Sequence, residues 1–253
     1  MISVCMATYN GERFLREQID SILCQLGPED ELIISDDGST DGTLGIIESY
    51  GDSRIRLLHH EKENIHINIM KLKKFYCTTF NFQNALLHAK GDFIFLVDQD
   101  DVWESNRIRI MVEQLKGNDL VMCNFSIIDN SGNIANKKFY NKDPISKYKL
   151  INIIKSKYIG CCMAFSRELL EIALPFPNNL MAHDYWIGCL SKKYEFIDIP
   201  LHKYRRHESN VSPSAEKSNN SFFIKIGYRV IFLFQIYKRM IFFVTRSGES
   251  AHE

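Results

Sequence analysis

The run Phe93-Ile94-Phe95-Leu96-Val97 is apolar at every position and stops abruptly at Asp98-Gln99-Asp100-Asp101. An unbroken apolar run of that length reads as a strand buried on both faces, the kind found inside a parallel sheet. This constrains the fold more than any other stretch. Such strands need helices over both faces, and ligands bind outside their carboxyl ends. The three carboxylates at the end of the run repel one another, and holding them together is costly unless a cation neutralises them. Hard divalent ions such as Mg2+ or Mn2+ take oxygen ligands, often one or two carboxylates plus substrate phosphates. Two readings follow from the residues alone. One is a metal that holds a phosphorylated substrate. The other is a solvated acidic turn in which Asp100 or Asp101 caps a helix starting near Trp103.

The preceding residues supply the rest of a sheet. Ile2 to Ala7 reads as a first strand that breaks at Thr8-Tyr9-Asn10-Gly11, and a helix follows through Phe14, Leu15, Ile19 and Leu23. Glu31 to Ser35 is a second strand, ending in Asp36-Asp37-Gly38-Ser39-Thr40-Asp41-Gly42. A helix from Thr43 to about Tyr50 leads to a third strand, Ile55 to Leu58. Strand, helix, strand, helix, strand is the signature of right-handed parallel crossovers. Thr8, Tyr9, Asn10, Asp36 and Asp37 are therefore expected to share one crevice with Asp98 to Asp101. No Gly-x-Gly-x-x-Gly follows the first strand and there is no Walker-type lysine loop, which disfavours a dinucleotide or P-loop site.

Further along, Glu61 to Lys74 is polar and irregular, a loop or short helix. Asn81 to Ala89 is a helix, Trp103 to Leu115 an amphipathic helix, Asp119 to Phe125 a strand, and Asp129-Asn130-Ser131-Gly132 a hairpin turn. Ile159 to Phe165 reads as a strand, and Ser166 as the cap of a helix running to Leu174. His183 opens a helix to about Lys192, Glu195 to Ile199 is a short strand, and Leu201 to His207 carries Lys203, Arg205, Arg206 and His207.

Composition narrows the function classes. The formal net charge is zero over 253 residues, which argues against a nucleic-acid binder. The seven cysteines are scattered without a CxxC pair and read as reduced core residues of a cytoplasmic protein. Met1 leads straight into a strand with no basic leader, and no stretch is long enough for a membrane span. Residues 209–220 are Ser/Asn-rich and read as a linker. Residues 221–246 are aromatic and basic with no acidic residue. A basic, apolar helix there reads as a membrane-surface binder, against the alternative of a helix docked on the domain or on a second copy of it as a homodimer.

Taken in order, these segments resemble family-2 glycosyltransferases of the GT-A fold. The likeness is carried by Ser3 to Asn10, by Asp36-Asp37-Gly38-Ser39-Thr40-Asp41, and by Gly91 to Trp103 with its DxD-type acidic motif. Gly160 to Phe165, His183-Asp184-Tyr185-Trp186-Ile187 and Tyr204 to Ser212 resemble a bacterial subgroup that builds O-antigen and capsule glycans. The resemblance implies an α/β, Rossmann-like, mixed but mainly parallel sheet flanked by helices, with an amphipathic helical tail. The transferase domain would span 1–208, its nucleotide-sugar half about 1–125 and its acceptor half about 126–208, ahead of the linker and a tail at 221–253.

Roles carried over by the resemblance place Thr8, Tyr9, Asn10, Asp36, Asp37, Asp98 and Gln99 on the nucleotide sugar. Arg205 and Arg206 would meet phosphate charge. Asp100, with Asp98, Asp101 and His207, would hold Mn2+ or Mg2+, and Asp184 would be the base of an inverting transfer. The implied donor is UDP-glucose or UDP-galactose, with dTDP-rhamnose next. The implied acceptor is an undecaprenyl-diphosphate-linked saccharide at the inner face of a bacterial inner membrane. Two departures stand out: His183 replaces the usual acidic residue before the base, and Asn64 to Thr79 lacks an expected glycine.

Blander roles compete for the same residues. Asp184 would also serve as a helix cap, Asp36 and Asp37 as turn residues, and His207 as a surface histidine. Tyr185 and Trp186 suit the core, and Lys71, Lys73 and Lys74 a solvated face. Outside the class, a nucleotidyltransferase would want a glycine-rich, lysine-bearing first loop, which Thr8-Tyr9-Asn10-Gly11-Glu12 is not. A non-catalytic carbohydrate-binding module would tolerate Asp184→Asn and Asp100→Ala.

Overall fold

The computed structural model describes residues 1–61, 70–154, 157–208 and 229–241. Its first half is the parallel arrangement expected from the strand and helix order. β1 (Ile2–Thr8), α1 (Leu15–Leu23), β2 (Glu31–Asp36), α2 (Thr43–Glu48), β3 (Ile55–His59), α3 (Met70–Leu87) and β4 (Phe93–Asp98) follow in chain order. The strands lie side by side as β3-β2-β1-β4, all parallel. Val4 to Met6, Leu32 to Ile34 and Ile94 to Val97 have no accessible surface, as strands covered on both faces require. α1 turns Leu15, Gln18, Ile19 and Ile22 onto the sheet, the spacing of one helical face.

After β4 the sheet changes direction. β5 (Val102–Trp103), α4 (Arg107–Leu115), β6 (Leu120–Ile128), β7 (Ile134–Asn136), α5 (Lys149–Ile154), β8 (Met163–Ser166), α6 (Arg167–Ala173), α7 (His183–Leu190) and β9 (Tyr194–Arg205) complete the domain. The sheet extends from β4 through β8, β6 and β9 to β5, with β8 antiparallel to both of its neighbours and β9 parallel to β6. The architecture is the mixed, mainly parallel α/β sheet with flanking helices expected above. Ser166 caps α6 as its sequence suggests, accepting from the Leu169 amide at 3.3 Å.

Four segments differ from the reading of the sequence. α3 begins at Met70, well before the expected Asn81. Tyr76, Thr79, Phe82 and Leu86 are buried along one face, and the polar residues between them hid the helical period. Val102 and Trp103 do not open a helix. They pair with Lys203 and His202 of β9, as a β-branched residue next to an aromatic one favours, and α4 starts only at Arg107. Neither Asp100 nor Asp101 caps a helix, since Asn106 holds that position. The expected short strand at Glu195 to Ile199 and the basic segment after it are one strand, β9. Its register shifts around Asn124, opposite Pro200, where proline has no amide to donate. The segment Ile159 to Phe165 opens with a 3-10 turn, Gly160–Cys162, before β8.

Residues 229–241 form a further helix, α8. It docks on the domain. Phe232 stacks on Tyr185 with ring centroids 4.1 Å apart, and Arg239 donates to Ile172 O and Leu174 O and lies over Trp186. Tyr185 and Trp186 are core residues. The linker at 209–220 and the tail at 221–228 and 242–246 lie outside the described residues, as does much of the segment expected to contain a glycine. The seven cysteines are free thiols, five of them buried.

Candidate functional site

The parallel register brings the ends of three strands to one level. Thr8 pairs with Asp36, and Ala7, one residue earlier on β1, pairs with Asp98. The loops after β1, β2 and β4 therefore meet at the carboxyl edge.

The first two loops are stitched to each other. Asp36 is fully buried and accepts four hydrogen bonds, from Thr8 Oγ1 at 3.0 Å, Ser39 Oγ at 2.5 Å, the Gly38 amide at 3.0 Å and the Ser39 amide at 2.8 Å. Gly38 has a φ of +77°, which explains its place in a turn closed on a carboxylate. Asn10 has a φ of 49°, a region asparagine enters more readily than most residues. Its Oδ1 accepts from the Thr40 amide at 2.8 Å. Asp37 meets His60 Nδ1 at 2.9 Å. The Tyr9 ring stands out from the surface, half exposed. Gln99 braces that loop: its Oε1 accepts from the Tyr9 amide at 2.8 Å and its Nε2 donates to Tyr9 O at 3.1 Å.

The acidic cluster after β4 is different in kind. Asp98, Asp101 and Cys161 place ligand atoms within 4.8 Å of one another. The Asp98 carboxyl is held well above its ordinary range, first by burial and then by the charges of Asp101, Asp100 and Asp184. Asp100 Oδ2 faces His207 Nε2 at 2.7 Å. Asp101, fully buried, accepts from the Arg205 amide at 2.8 Å and from His202 Nε2 at 2.8 Å, while Arg107 Nη1 donates to His202 Nδ1 at 2.8 Å. Because a guanidinium can only donate, His202 carries its proton on Nε2. Burial and the nearby Arg107 charge keep that ring neutral, with its pKa well below the ordinary value.

Arg205 sits beneath this cluster. It is buried over the Phe14 ring, with Nη2 on Glu17 Oε2 at 2.5 Å, Nε donating to Asp100 O at 2.9 Å and Nη1 to Asp129 O at 3.2 Å. In this conformation its guanidinium braces the loop after β4. Arg206 is exposed.

Asp184 lies in the first turn of α7, where Ala182 holds the cap position, so a capping role does not account for it. Its Oδ2 accepts from the Gly160 amide at 3.3 Å and its Oδ1 from the Tyr185 amide at 2.7 Å. A Cβ on Gly160 would lie 3.2 Å from His183 Nε2 and 3.3 Å from Asp184 Cβ, so a larger residue there would press the neighbouring side chains outward by a few tenths of an ångström. His183 packs tilted against Phe82 with ring centroids 4.2 Å apart, and burial lowers its pKa, leaving a neutral ring next to Asp184.

Several of these residues escaped the reading of the sequence. His202, Arg107, Glu17 and His60 are isolated in the chain and become neighbours of the acidic and first loops only through long-range pairing. For Gly160 the signal was present, a glycine ahead of two cysteines, but without a reason attached. Cys161, Cys162 and His202 also lie within 4.8 Å of one another, though both His202 nitrogens are already engaged by Arg107 and Asp101.

A parallel half with clustered acids at its carboxyl edge, extended by a mixed half that brings one more acid to them, defines a GT-A-type fold. The solved structure of Staphylococcus aureus TarS residues 1–349 with UDP-GlcNAc aligns with a TM-score of 0.65 and 20% identity, over 91% of this chain and 66% of that one. The Pyrobaculum calidifontis mannosyltransferase PcManGT, solved with GDP-Man and Mn2+, aligns with a TM-score of 0.56 and 21% identity, over 83% and 58% of the two chains. The chain thus spans about two thirds or less of these solved structures. The description "Glycosyl transferase family 2" matches residues 3–74 and 79–172.

The chain belongs to glycosyltransferase family 2. Among its relatives, the UDP-Glc:alpha-D-GlcNAc-diphosphoundecaprenol beta-1,3-glucosyltransferase WfgD of Escherichia coli is 29% identical over 86% of this chain and 81% of its own length. Glycosyltransferase GlyG of Streptococcus pneumoniae is 31% identical over 83% and 72%, and the dTDP-rhamnosyl transferase RfbG of Shigella flexneri 29% over 81% and 72%.

Proposed function

We propose that this glycosyltransferase is an inverting, divalent-metal-dependent hexosyltransferase. It moves glucose or galactose from a UDP-sugar to an undecaprenyl-diphosphate-linked saccharide of a bacterial surface glycan, at the cytoplasmic face of the inner membrane. The observation that carries the reading is the Asp98, Asp100 and Asp101 cluster facing Asp184. Burial first, and then the charges of Asp101, Asp100 and Asp184, hold the Asp98 carboxyl well above its ordinary range, and a divalent cation there would neutralise the crowded negative charge. WfgD, by its name, uses UDP-Glc and a GlcNAc-diphosphoundecaprenol acceptor, which favours UDP-glucose. RfbG matches at the same identity and keeps dTDP-rhamnose as the second reading.

The residues present fit Mn2+ or Mg2+. Asp100 Oδ2 and His207 Nε2 face each other, Asp98 and Asp101 bring carboxylate oxygens within 4.8 Å of one another, and the donors are mostly hard oxygens. Asp98, Asp100 and His207 would hold the ion, while Asp101, already engaged by Arg205 and His202, supports them from beneath. The bound ion would supply Lewis-acid stabilisation of the leaving diphosphate. Tyr9 offers its exposed ring to the base, and Asp37, oriented by His60, faces the ribose. Asp36 and Asn10 hold the two loops in shape, Gln99 braces Tyr9, and the exposed Arg206 would meet phosphate. Asp184 takes the proton of the acceptor hydroxyl, aimed by the Gly160 and Tyr185 amides, and one direct displacement inverts the anomeric centre.

The test uses purified protein with UDP-glucose, UDP-galactose and dTDP-rhamnose, a GlcNAc-diphospho-lipid acceptor, and Mn2+, Mg2+ or EDTA. Metal-dependent turnover of one UDP-sugar, lost in Asp100→Ala and Asp184→Asn, is the expected result. Turnover of dTDP-rhamnose alone installs the second reading. Absence of metal-dependent nucleotide binding with every donor refutes both.

A further inference from the structure

Large apolar side chains exposed to solvent are not scattered evenly over this molecule. Among the described residues sixteen are exposed, and eleven of them fall in 148–154 and 230–241, which are α5 with its leading residue and α8. A helix at the surface of a globular domain turns its apolar stripe inward and its polar residues outward. α8 does the first, burying Phe232 and Ile236, but its outer face carries Val230, Phe234 and Tyr237 at 59%, 57% and 63% exposure. α5 likewise buries Ile153 and presents Leu150, Ile151 and Ile154.

The two helices share one support. Tyr185 donates its hydroxyl to Ile153 O at the end of α5, and its ring lies flat on Phe232 of α8, 4.1 Å away. Two short segments far apart in the chain are thus brought together around one side chain.

Cations flank both helices, with Asp143 and Glu168 the nearest acids in sequence to α5. Lys147, Lys157, Arg229 and Lys238 are exposed at the two helices, and neither 144–167 nor 221–246 contains an acidic residue. Lys238 lies over the Phe234 ring at 4.6 Å and Lys147 over the Tyr148 ring at 5.2 Å, so cations stand at the border of the apolar patch.

We infer that α5 and α8 together form one docking face for a bilayer surface carrying anionic phospholipid, with apolar side chains entering the acyl boundary and lysines meeting the phosphates. A second copy of this chain fits less well, because a two-fold contact would set two cationic faces against each other. The inference rests on the proposed lipid-linked acceptor for its purpose, and it deepens that reading. α7 carries the proposed base at Asp184 and the support of both docking helices at Tyr185. Contact with the bilayer therefore brings the base to the surface where such an acceptor lies. α5 enters this face on structural grounds only. Within the described residues no helix is long and apolar enough to cross a membrane, so the contact is superficial.

The test is co-sedimentation of the full chain with phosphatidylcholine vesicles, with and without phosphatidylglycerol. Wild type is expected to bind only the anionic vesicles, and less as salt rises. Ile151→Glu with Ile154→Glu on α5, and separately Phe234→Glu on α8, should each lower vesicle partition by roughly tenfold or more. Leu87→Glu, an exposed apolar site on α3, should leave partition unchanged. Transfer to a short-chain acceptor in detergent is expected to persist in all of these variants, so loss of vesicle binding is read apart from failure of the transferase reading. Full binding by the α5 variant, equal binding to neutral vesicles, or a dimer in sedimentation velocity abolished by the same substitutions would overturn the inference.

Discussion

Two strand ends on either side of β1 carry carboxylates of the same type in opposite physical states. At the end of β2, Asp36 accepts four hydrogen bonds from its own and the adjoining loop. At the end of β4, Asp98 is enclosed among Asp100, Asp101 and Asp184 and is pushed toward its protonated form. The first is a satisfied anion that builds a turn. The second is a frustrated one, raised first by burial and then by the like charges around it. Both follow an apolar strand, so position alone does not separate structural from functional acids. What separates them is the supply of donors: Gly38 and Ser39 put amides and a hydroxyl around Asp36, whereas carboxylates surround Asp98.

The contrast can be broken in order of effect. Asp100→Ala and Asp184→Asn should each cost about 10²–10⁴ in kcat with the fold retained, read by sugar transfer and circular dichroism. Asp36→Ala should act on stability. Four donors lose their acceptor, and urea unfolding should show a loss of about 2–4 kcal/mol that Mn2+ does not selectively restore.

Asp98→Asn should do the reverse. Unfolded, Asp98 titrates near its ordinary value of 3.8, and in the fold it titrates well above that. The native state then holds a proton that the unfolded chain has released. Stability in EDTA therefore falls as pH rises from about the ordinary carboxylate value through the raised one. Asp98→Asn should flatten that fall and stabilise the metal-free protein by about 1–2 kcal/mol at neutral pH, while weakening Mn2+ binding. Thermal melts across pH with and without Mn2+ check this. A steeper fall in the variant would contradict it.

The smallest effect is expected at Gly160→Ala. A methyl 3.3 Å from Asp184 Cβ and 3.2 Å from His183 Nε2 displaces the base slightly, and kcat should drop about tenfold with little change in donor KM.

How legible this was depended on the range of the interactions. β1 to β4 could be read from the sequence because each strand carries its own apolar run and each loop its own turn residues. The acidic motif was legible for the same reason, and so was the cap at Ser166. α3 was not, because its buried face is diluted by Asn, Thr and Lys. β9 was not, because Pro200 and the basic residues after it looked like a boundary when they are one strand with a bulge. Arg205 was expected to meet phosphate charge because it stands beside Arg206 and His207 in the chain. Its contacts with Glu17 and Asp129 O come from residues 188 and 76 positions away, which no local pattern contains. The basic tail was half legible: its charge was plain, but nothing local shows that Phe232 stacks on Tyr185.

The most direct measurement of the central claim is calorimetric titration of Mn2+ with UDP into wild type, Asp184→Asn and Asp100→Ala, paired with transfer assays on the same samples. The account predicts that Asp184→Asn binds both ligands as wild type does and transfers nothing, and that Asp100→Ala loses the metal-dependent part of binding. Transfer that survives EDTA, or an Asp100→Ala variant that binds Mn2+ and UDP as tightly as wild type, would contradict it.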